Sequence, residues 1–501
     1  MRTTVLIVGG GPVGLSLAIR LAQLDVPVLL AERRANASAF PKGRALSVRS
    51  MEIYRSWGLE AEVTAAGLPR DQLAFYSGRS LVDPAGNRFV TSPAARPLPS
   101  PTYTLLCSQD RLEPLLRAHA ERLAPGRIRF GTELVGLRDA TATVRDCSSG
   151  ATETIVADWI VAADGARSSV RDSLGIEMAG PDDASHNLSI LFEADLAAHL
   201  AGRQSVVYRI SRPGLHGEFL AVDNDRRWLF NLIADGDDHP GLDRLGDGEC
   251  VALIRSAAGL PYLRLTLLTR RTWHASAKVA VRFRHGRILL AGDAAHVLTP
   301  YGGFGLNCGI ADVDNLAWKL AAVHGGSAPT ALLDTYEAER RPVAVSSAAE
   351  SHRRLLATLL EHRTGAAPAQ RPSEGLVLGY HYTSTAVVDD GTPPPDGDPV
   401  GDYTPTARPG HRIPHVWLDD GRSSLDLTGP RPVLLVGPEA TWAFGDDVHR
   451  ISSAAFLDAC GISAAGGVLV RPDGHVGWRS TGDPGRSSSE IHEGLLNGAF
   501  R

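Results

Sequence analysis

Cysteine is scarce in the 501-residue sequence, and both strong net charge and long apolar runs are lacking. The five cysteines, Cys107, Cys147, Cys250, Cys308 and Cys460, are scattered, odd in number and never spaced as CxxC. This argues against a disulfide scaffold or a structural zinc site and for a reducing compartment, so a cytoplasmic location is expected. A formal net charge of -5 gives neither the basic footprint of a nucleic-acid binder nor a polybasic membrane patch. No apolar run reaches the ~18 residues that a membrane-spanning helix needs. The apolar opening from Val5 to Leu24 is broken by a glycine cluster and a proline, which fits a strand, a turn and a helix better than a signal peptide. Internal repeats, long low-complexity tracts and clusters with metal-ligand spacing are missing too, and no metal is expected. What remains is an ordinary globular composition, 43% hydrophobic and 21% charged, long enough for about three domains.

The chain opens as a βαβ unit. Thr4–Val8 is a β-branched apolar run, Gly9–Gly14 a glycine-rich turn, Leu15–Leu24 helical, and Pro27–Ala31 a second apolar run. Both strands read as buried on both faces. Pro69–Pro101 reads as polar and irregular. Arg111–Leu123 predicts a helix with Leu112, Leu115, Leu116 and Ala120 on its apolar face. Thr154–Ala162 is a strand that runs into Asp164-Gly165. From about Asn187 to Ala280, short alternating segments (Ser205–Ile210, Glu218–Val222, Trp228–Ile233) predict an antiparallel sheet. Arg287–Ala291 returns to a buried strand, and Gly309–Val323 and Ala331–Glu350 predict helices. Asp389–Pro399 is turn-rich, and the clearest strands beyond it are Pro432–Val436 and Gly467–Arg471. The expected fold is α/β. Residues 1–177 and 281–388 form a Rossmann-like nucleotide-binding unit, with a substrate-facing segment at about 69–105. Residues 178–280 form an inserted antiparallel sheet, 389–399 a linker and 400–501 a C-terminal unit.

Gly9-Gly10-Gly11-Pro12-Val13-Gly14 fits GxGxxG between a strand and a helix. Gly9 permits the tight turn, Gly11 clears the approach of a pyrophosphate to the backbone, and Gly14 allows close helix–sheet packing. The helix start then offers free N–H groups and a positive dipole end to phosphates. Glu32, at the end of the second strand, suits a carboxylate that accepts hydrogen bonds from a ribose diol. The bland alternative is a turn that merely packs tightly, and the motif alone does not separate FAD from NAD. Gly292-Asp293 places a second carboxylate at a strand's C-terminal end, where open α/β sheets bind ligands; a helix N-cap is its structural alternative. Gly302, Gly303 and Gly305 let backbone lie close to a flat ligand. A helix beginning near Asn307 would aim N–H groups at that ligand and stabilise negative charge on it.

Three motifs then stand in order: the glycine turn, Asp158 through Arg171 with Asp164-Gly165 at its centre, and Gly286 through Lys319 with Gly292-Asp293. Together they resemble the group A flavoprotein aromatic hydroxylases of the p-hydroxybenzoate hydroxylase fold. Local matches are closer to phenol hydroxylase-like and aromatic-polyketide hydroxylases such as aklavinone-11-hydroxylase. The resemblance spans about residues 3–345 and extends into the C-terminal unit, whose Pro409–His415 and Leu469–Arg479 segments look like a thioredoxin-like domain. It implies FAD as cofactor, held by Gly9, Gly11, Pro12, Gly14, Glu32, Arg33, Arg44, Gln109, Arg111, Asp164, Gly165, Gly292, Asp293, Pro300, Gly303, Leu306 and Asn307. Glu32 would bind the adenosine ribose and Arg33 lie near the adenine. Arg44 would serve the pyrophosphate side and flavin movement, Gln109 and Arg111 the ribityl chain and phosphates. Asp293 would take the ribityl hydroxyls, and Gly303, Leu306 and Asn307 the isoalloxazine. Phe304 and the Lys42-Gly43 spacing before Arg44 depart from the usual pattern.

The implied reaction consumes NADPH (or NADH) and O2 and hydroxylates a phenolic or polyketide-type ring through a flavin C4a-hydroperoxide. Only one GxGxxG is present, which agrees with the absence of a dedicated NADPH domain in that family. Arg44, Tyr208, His216 and Pro300 are the catalytic candidates. Tyr76, Tyr103, Phe219, Trp228 and Phe230 are further pocket candidates, each more readily read as a core or surface residue than as a substrate contact. His296 reads as structural. Cys460 has no resolving partner, so the C-terminal unit is expected to serve packing or dimerisation rather than redox exchange. Baeyer–Villiger or epoxidising chemistry on the same scaffold, a non-catalytic flavin-binding protein and a plain dehydrogenase are the alternatives. Nucleic acid and membrane are not expected as partners.

Overall fold

The computed structural model describes residues 1–90, 98–182, 185–200, 202–234, 241–364, 371–443 and 446–497. Strand β1 (Arg2–Val8), helix α1 (Pro12–Gln23) and strand β2 (Val28–Glu32) open the chain, followed by helix α2 (Val48–Ser56). Strands β3 (Ala74–Gly78) and β4 (Asn87–Val90) come next, then helix α3 (Gln109–Leu123) and strands β5 (Ile128–Phe130) and β6 (Thr152–Ala162). Strands β7 (His186–Ala194), β8 (Val207–Arg212), β9 (Leu215–Ala221) and β10 (Arg227–Ala234) precede helix α4 (Asp247–Ala258) and strand β11 (Leu265–His274). After them stand strand β12 (Ile288–Leu290) and helices α5 (Phe304–His324) and α6 (Asp334–Thr364). The C-terminal unit contributes strands β13 (Val433–Val436), β14 (Val448–Arg450), β15 (Gly467–Val470) and β16 (Val476–Ser480).

Strands β12, β6, β1, β2 and β5 pair in that order, all parallel, into a Rossmann-like sheet. Val5–Val8 and all of β2 are buried, as expected where elements cover both faces of a parallel sheet. Helix α1 packs against α3 and α5. The glycine turn makes this close approach feasible. Gly9 adopts φ +110°, and a Cβ on Gly14 would stand 2.0 Å from the Gly9 carbonyl oxygen.

The second sheet has the order β11-β7-β10-β9-β8-β3-β4, antiparallel except for the parallel β3–β8 pair. Strands β8 and β9 alternate in burial. Tyr208, Phe219, Trp228 and Phe230 face one side and are buried with Cys250 and Ile254 of α4. Each such aromatic side chain contributes about 2–3 kcal/mol of burial. The other side of the sheet faces the nucleotide-binding unit across a cleft.

Three expectations change. The stretch Pro69–Pro101 is not wholly irregular: β3 and β4 lie within it and complete the large sheet, while residues 91–97 lie outside the described residues. Both strands are short, and only β4 lies at the sheet's edge. Helix α5 starts at Phe304 rather than near Asn307 or Gly309, because Gly303 supplies the φ +67° turn directly before it. Helix α6 runs on to Thr364 with Pro342 inside it.

The C-terminal sheet has the order β14-β13-β15-β16, with only β13 and β14 parallel, and is thioredoxin-like. The turn-rich Asp389–Pro399 stretch is tied to it: Arg479 Nε donates to Asp390 Oδ2 at 2.8 Å. Among the described residues no helix is long and apolar enough to cross a membrane, and no cluster of His, Cys, Asp and Glu could hold a metal.

Candidate active site

One cleft of about 3150 Å³ runs from the end of β2, past the glycine turn, to the cleft-facing side of the second sheet. A single drug-sized ligand occupies ~300–1,000 Å³. The cleft therefore has room for an extended dinucleotide and a second organic molecule together. Gly9, Gly11, Pro12, Glu32, Arg33, Arg44, Gln109, Asp164, Gly165, Asp293, Pro300, Gly303, Leu306 and Asn307 all line it. Three motifs far apart in sequence thus converge on one surface.

The phosphate-facing turn is a cradle. Gly11 is the N-cap of α1 in an extended conformation, and a Cβ added there meets nothing within 4 Å. Pro12 follows at the first helical position, where a missing N–H costs nothing. Gly14 lies behind the turn and serves packing. Glu32 Oε2 accepts the Gly10 N–H at 2.7 Å, while Oε1 accepts both the Arg34 N–H and Nε at 2.9 Å. Burial alone would raise the Glu32 pKa; the bonds from Arg34 and Gly10 outweigh it and hold the carboxyl below its usual range. Arg33 is exposed at the rim.

Asp164 sits after β6. Its Oδ2 accepts the Val170 N–H at 3.2 Å and the Ser169 hydroxyl at 3.4 Å, whereas its buried Oδ1 has no protein partner. Asp293 opens onto the cleft floor while the surrounding protein shields it from bulk solvent. That desolvation raises its pKa, and His296 and Lys42 pull it back. An orphaned carboxylate oxygen and an unfilled glycine cradle fit a polyhydroxylated, diphosphate-bearing ligand.

The loop before α5, the expected flavin-side loop, is held by protein alone. Asn307 Nδ2 donates to Gly303 O at 2.6 Å and Ala45 O at 2.9 Å. Its Oδ1 accepts Ser47 N–H at 2.8 Å and Ser50 Oγ at 2.6 Å. Asn307 therefore fixes the start of α5 against α2, and Gly303, Gly305 and Leu306 are left to face a flat ligand. Arg44 reaches across the cleft: Nη1 donates to Ala221 O at 2.7 Å, and Nη1 and Nη2 to Val206 O at 3.3 Å. Burial pushes its pKa down to about 10, with the Glu218 charge opposing, so it stays charged at neutral pH. Gln109 Oε1 accepts the Gly43 N–H at 3.2 Å and so braces the turn before Arg44.

Several expected residues lie elsewhere. Arg111 Nη1 bonds Ala66 O at 3.2 Å on the far side of α3, and Gly292 packs on Val13 behind the cleft. Tyr208 points away from the cleft: it accepts the Ser205 N–H at 2.8 Å and donates to Asn224 Oδ1 at 3.0 Å. Tyr76, Phe219, Trp228 and Phe230 share that buried side, so strand alternation removes all five from substrate contact. His216 pairs with Ser211 at an exposed hairpin end, outside the cleft lining. Tyr103 and Pro300 do line the cleft. His296 is fully buried, its Nε2 2.6 Å from Asp312 Oδ2, which also accepts the Gly292 N–H. Asp312 Oδ1 accepts Arg340 Nε at 2.8 Å, so this trio supports the Gly292-Asp293 turn from behind. Sequence reading missed Arg209, Glu218, Asn231 and Ser189, polar residues that alternate with the aromatic ones and do face the cleft.

A family model described as "FAD binding domain" matches residues 2–351, and one described as "Aromatic-ring hydroxylase, C-terminal" matches residues 406–497. The chain belongs to the FAD-binding aromatic-ring hydroxylases. It is 36% identical to tetracenomycin A2 monooxygenase-dioxygenase of Streptomyces glaucescens, over 98% of this chain and 96% of that one. It is 38% identical to aklavinone 12-hydroxylase of Streptomyces peucetius, over 87% and 91%. The crystal structure of aklavinone-11 hydroxylase with FAD and aklavinone superposes with a TM-score of 0.89 at 33% identity, covering 100% of this chain and 99% of that one. This hydroxylase-family chain is thus an FAD-dependent aromatic monooxygenase.

Proposed function

We propose that the enzyme hydroxylates a phenolic ring of a flat, polyketide-type substrate, with NADPH as electron donor and O2 as oxygen source. The observation that carries this reading is the continuity of the cleft, which joins the FAD-binding motifs to the cleft-facing side of the antiparallel sheet. By their names the enzymes above act on tetracenomycin A2 and aklavinone, and a further relative in Streptomyces halstedii is described as a polyketide hydroxylase; a substrate of that class fits a cleft this large.

We assign residues 1–177 and 281–388 to FAD binding, 178–280 to the substrate side and 400–501 to the C-terminal unit. FAD, when bound, supplies the redox chemistry between the nicotinamide and O2. The chain supplies the rest. Gly11 and the start of α1 receive the pyrophosphate, Glu32 the ribose, and Asp164 and Asp293 the polyol oxygens. Gly303, Gly305 and Leu306 give the ring a flat backbone surface, and the N–H groups that begin α5 stabilise negative charge there. Arg44 holds the flavin-side loop against β8 and β9. Pro300 and Tyr103 close the cleft around the substrate and help exclude water.

The test is NADPH consumption by purified holoenzyme with and without a panel of polycyclic phenols, with product mass measured. Substrate-stimulated oxidation and a product one oxygen heavier are expected. Hydrogen peroxide as the only product across the panel would overturn the assignment.

A further inference from the structure

Strand register turns the cleft-facing side of the antiparallel sheet into two parallel rows. Arg209 stands opposite Glu218, Glu218 opposite Asn231, Asn231 opposite Ser189 and Ser189 opposite Arg271. One polar row therefore crosses five strands. Two residues along, Val207 stands opposite both Phe75 and Leu220, and Leu220 opposite Leu229, which makes an apolar row. Every one of these side chains lines the cleft. Same-face residues on one strand lie ~7 Å apart, so the rows are separated by about the breadth of a fused ring system.

The polar row is preorganised. Arg209 Nε donates to Glu218 Oε1 at 3.2 Å. Ser189 Oγ donates to Asn231 Oδ1 at 2.6 Å and accepts Trp273 Nε1 at 2.8 Å. These bonds orient the row and leave Glu218 Oε2 and Asn231 Nδ2 without a hydrogen-bond partner among the described residues. Glu218 is also the only carboxylate of this sheet among the described residues that lines the cleft. Its charge acts on Arg44 and on Tyr301, which places it beside the flavin-side loop. An acceptor between two donors, set against a strip of aliphatic and aromatic carbon, is more than a greasy slot requires.

Building on the hydroxylase reading, we propose that this face reads which edge of a flat polycyclic substrate carries oxygen. The oxygenated edge lies along Arg209, Glu218 and Asn231; its hydroxyls donate to Glu218 and its carbonyls accept from Arg209 and Asn231. The bare carbon edge lies along Val207, Leu220 and Leu229. Orientation of the substrate, and hence which carbon meets the flavin, follows from that choice. Arg209, Glu218 and Asn231 are then specificity-determining residues.

Two isomers isolate the effect. In 1,8-dihydroxyanthraquinone both hydroxyls and one carbonyl share an edge. In 1,5-dihydroxyanthraquinone one hydroxyl and one carbonyl lie on each edge; each hydroxyl again makes one internal hydrogen bond, to its own carbonyl rather than to a shared one. Dissociation constants with the FAD holoenzyme are read from the flavin absorbance change. The 1,8 isomer is expected to bind about tenfold more tightly, the worth of roughly one charge-assisted hydrogen bond. The Glu218→Gln/Asn231→Leu double variant should erase the ratio, while Leu220→Gln should weaken both isomers and keep it. Equal binding by the wild-type enzyme overturns the proposal without any variant, and so does a ratio unchanged in the double variant. If the binding ratio holds but no phenol of the panel, these two isomers included, gives an oxygenated product, the hydroxylation reading falls and the edge-reading face stands.

Discussion

Gly11 and Gly14 are three residues apart in one motif, and replacing each by alanine should have opposite consequences. At Gly11 the backbone is extended, with φ -74° and ψ -179°, which any residue adopts, and an added Cβ meets nothing within 4 Å. Gly11→Ala should therefore leave the apoprotein's stability within about 0.5 kcal/mol, or raise it slightly by restricting the unfolded chain. At Gly14 the Cβ would stand 2.0 Å from the Gly9 carbonyl oxygen and 3.3 Å from Ile7 Cγ2, and neither backbone nor strand can yield. Gly14→Ala should destabilise the apoprotein by about 3 kcal/mol or more. The FAD readout reverses the order for a different reason. If the space beside Gly11 is where the pyrophosphate sits, the new methyl overpacks the complex by about 1–3 kcal/mol. That is roughly a 5- to 150-fold loss of affinity at ~1.4 kcal/mol per tenfold. The assay is a denaturant melt of apoprotein alongside FAD titration by flavin fluorescence. A Gly11→Ala protein that binds FAD as tightly as wild type would refute the cradle.

Other consequences follow from the buried charges and the clamp. Glu339→Ala removes the acceptor of Arg471 Nη1 and Nη2, both at 2.7 Å, and of Lys319 Nζ at 2.7 Å, leaving buried Lys319 without its carboxylate and Arg471 with Asp473 alone. A loss of about 3–5 kcal/mol is expected in a chemical melt, and a loss below 1 kcal/mol would show that the network relaxes. Burial pushes the His475 pKa down to about 4, Asp473 opposing, so the folded state keeps it neutral while the unfolded chain protonates it near pH 6.5. Stability should therefore fall as pH drops from about 6.5 towards 4, by an amount on the order of 3 kcal/mol, and level off below. His475→Gln should flatten that slope in melts taken across the range, and an unchanged slope would assign it to other groups. Arg44→Met removes the donor to Val206 O and Ala221 O; holoenzyme turnover should drop more than tenfold while FAD stays bound, as stopped-flow reduction and absorbance spectra would show.

The nucleotide-binding half was legible because its motifs are local. A turn that needs φ above zero, a helix start and an acid at a strand end are each written in a few consecutive residues, and Gly9, Gly11, Glu32 and Asp293 all line the cleft. The substrate side was legible only as a sheet. Alternation in Glu218–Val222 and Trp228–Ile233 announces strands but not which face meets the flavin, and a period of two gives both faces equal standing. Aromatic residues drew attention, yet Tyr208 and Trp228 went to the side covered by α4, whose own apolar face needed a partner. The ion-paired and amide-bearing residues between them, Arg209, Glu218 and Asn231, were the ones left facing the cleft. The β3–β8 pairing joins residues more than a hundred positions apart, and nothing local encodes it.

The C-terminal unit gains its meaning from the same geometry. It meets the flavin-binding unit through buried charge beside a small apolar cluster of Trp318, Leu332 and Leu496: the cations Arg49, Arg412, Arg471 and Lys319 face the carboxylates of Glu52, Asp314, Glu339 and Asp473. Arg412 Nε reaches Glu52 of α2 at 2.8 Å, and Arg49 of α2 reaches the Asp473 carbonyl at 2.6 Å. Ser50, between Arg49 and Glu52 in sequence, donates to Asn307 at 2.6 Å. One short helix thus carries both the anchor of the flavin-side loop and the docking groups for the C-terminal unit. Charged interfaces of this kind hold register tightly but tolerate little displacement, because a separated pair leaves uncompensated charge in a dry interior. Cys460 is buried with its thiol pKa pushed up by desolvation, and among the described residues no second cysteine joins it. If the unit acts on the active site by fixing α2, cutting the Arg412–Glu52 contact with Arg412→Met should loosen FAD as well as lower the melting temperature. FAD affinity unchanged beside a lowered melting temperature would confine the unit to stability alone.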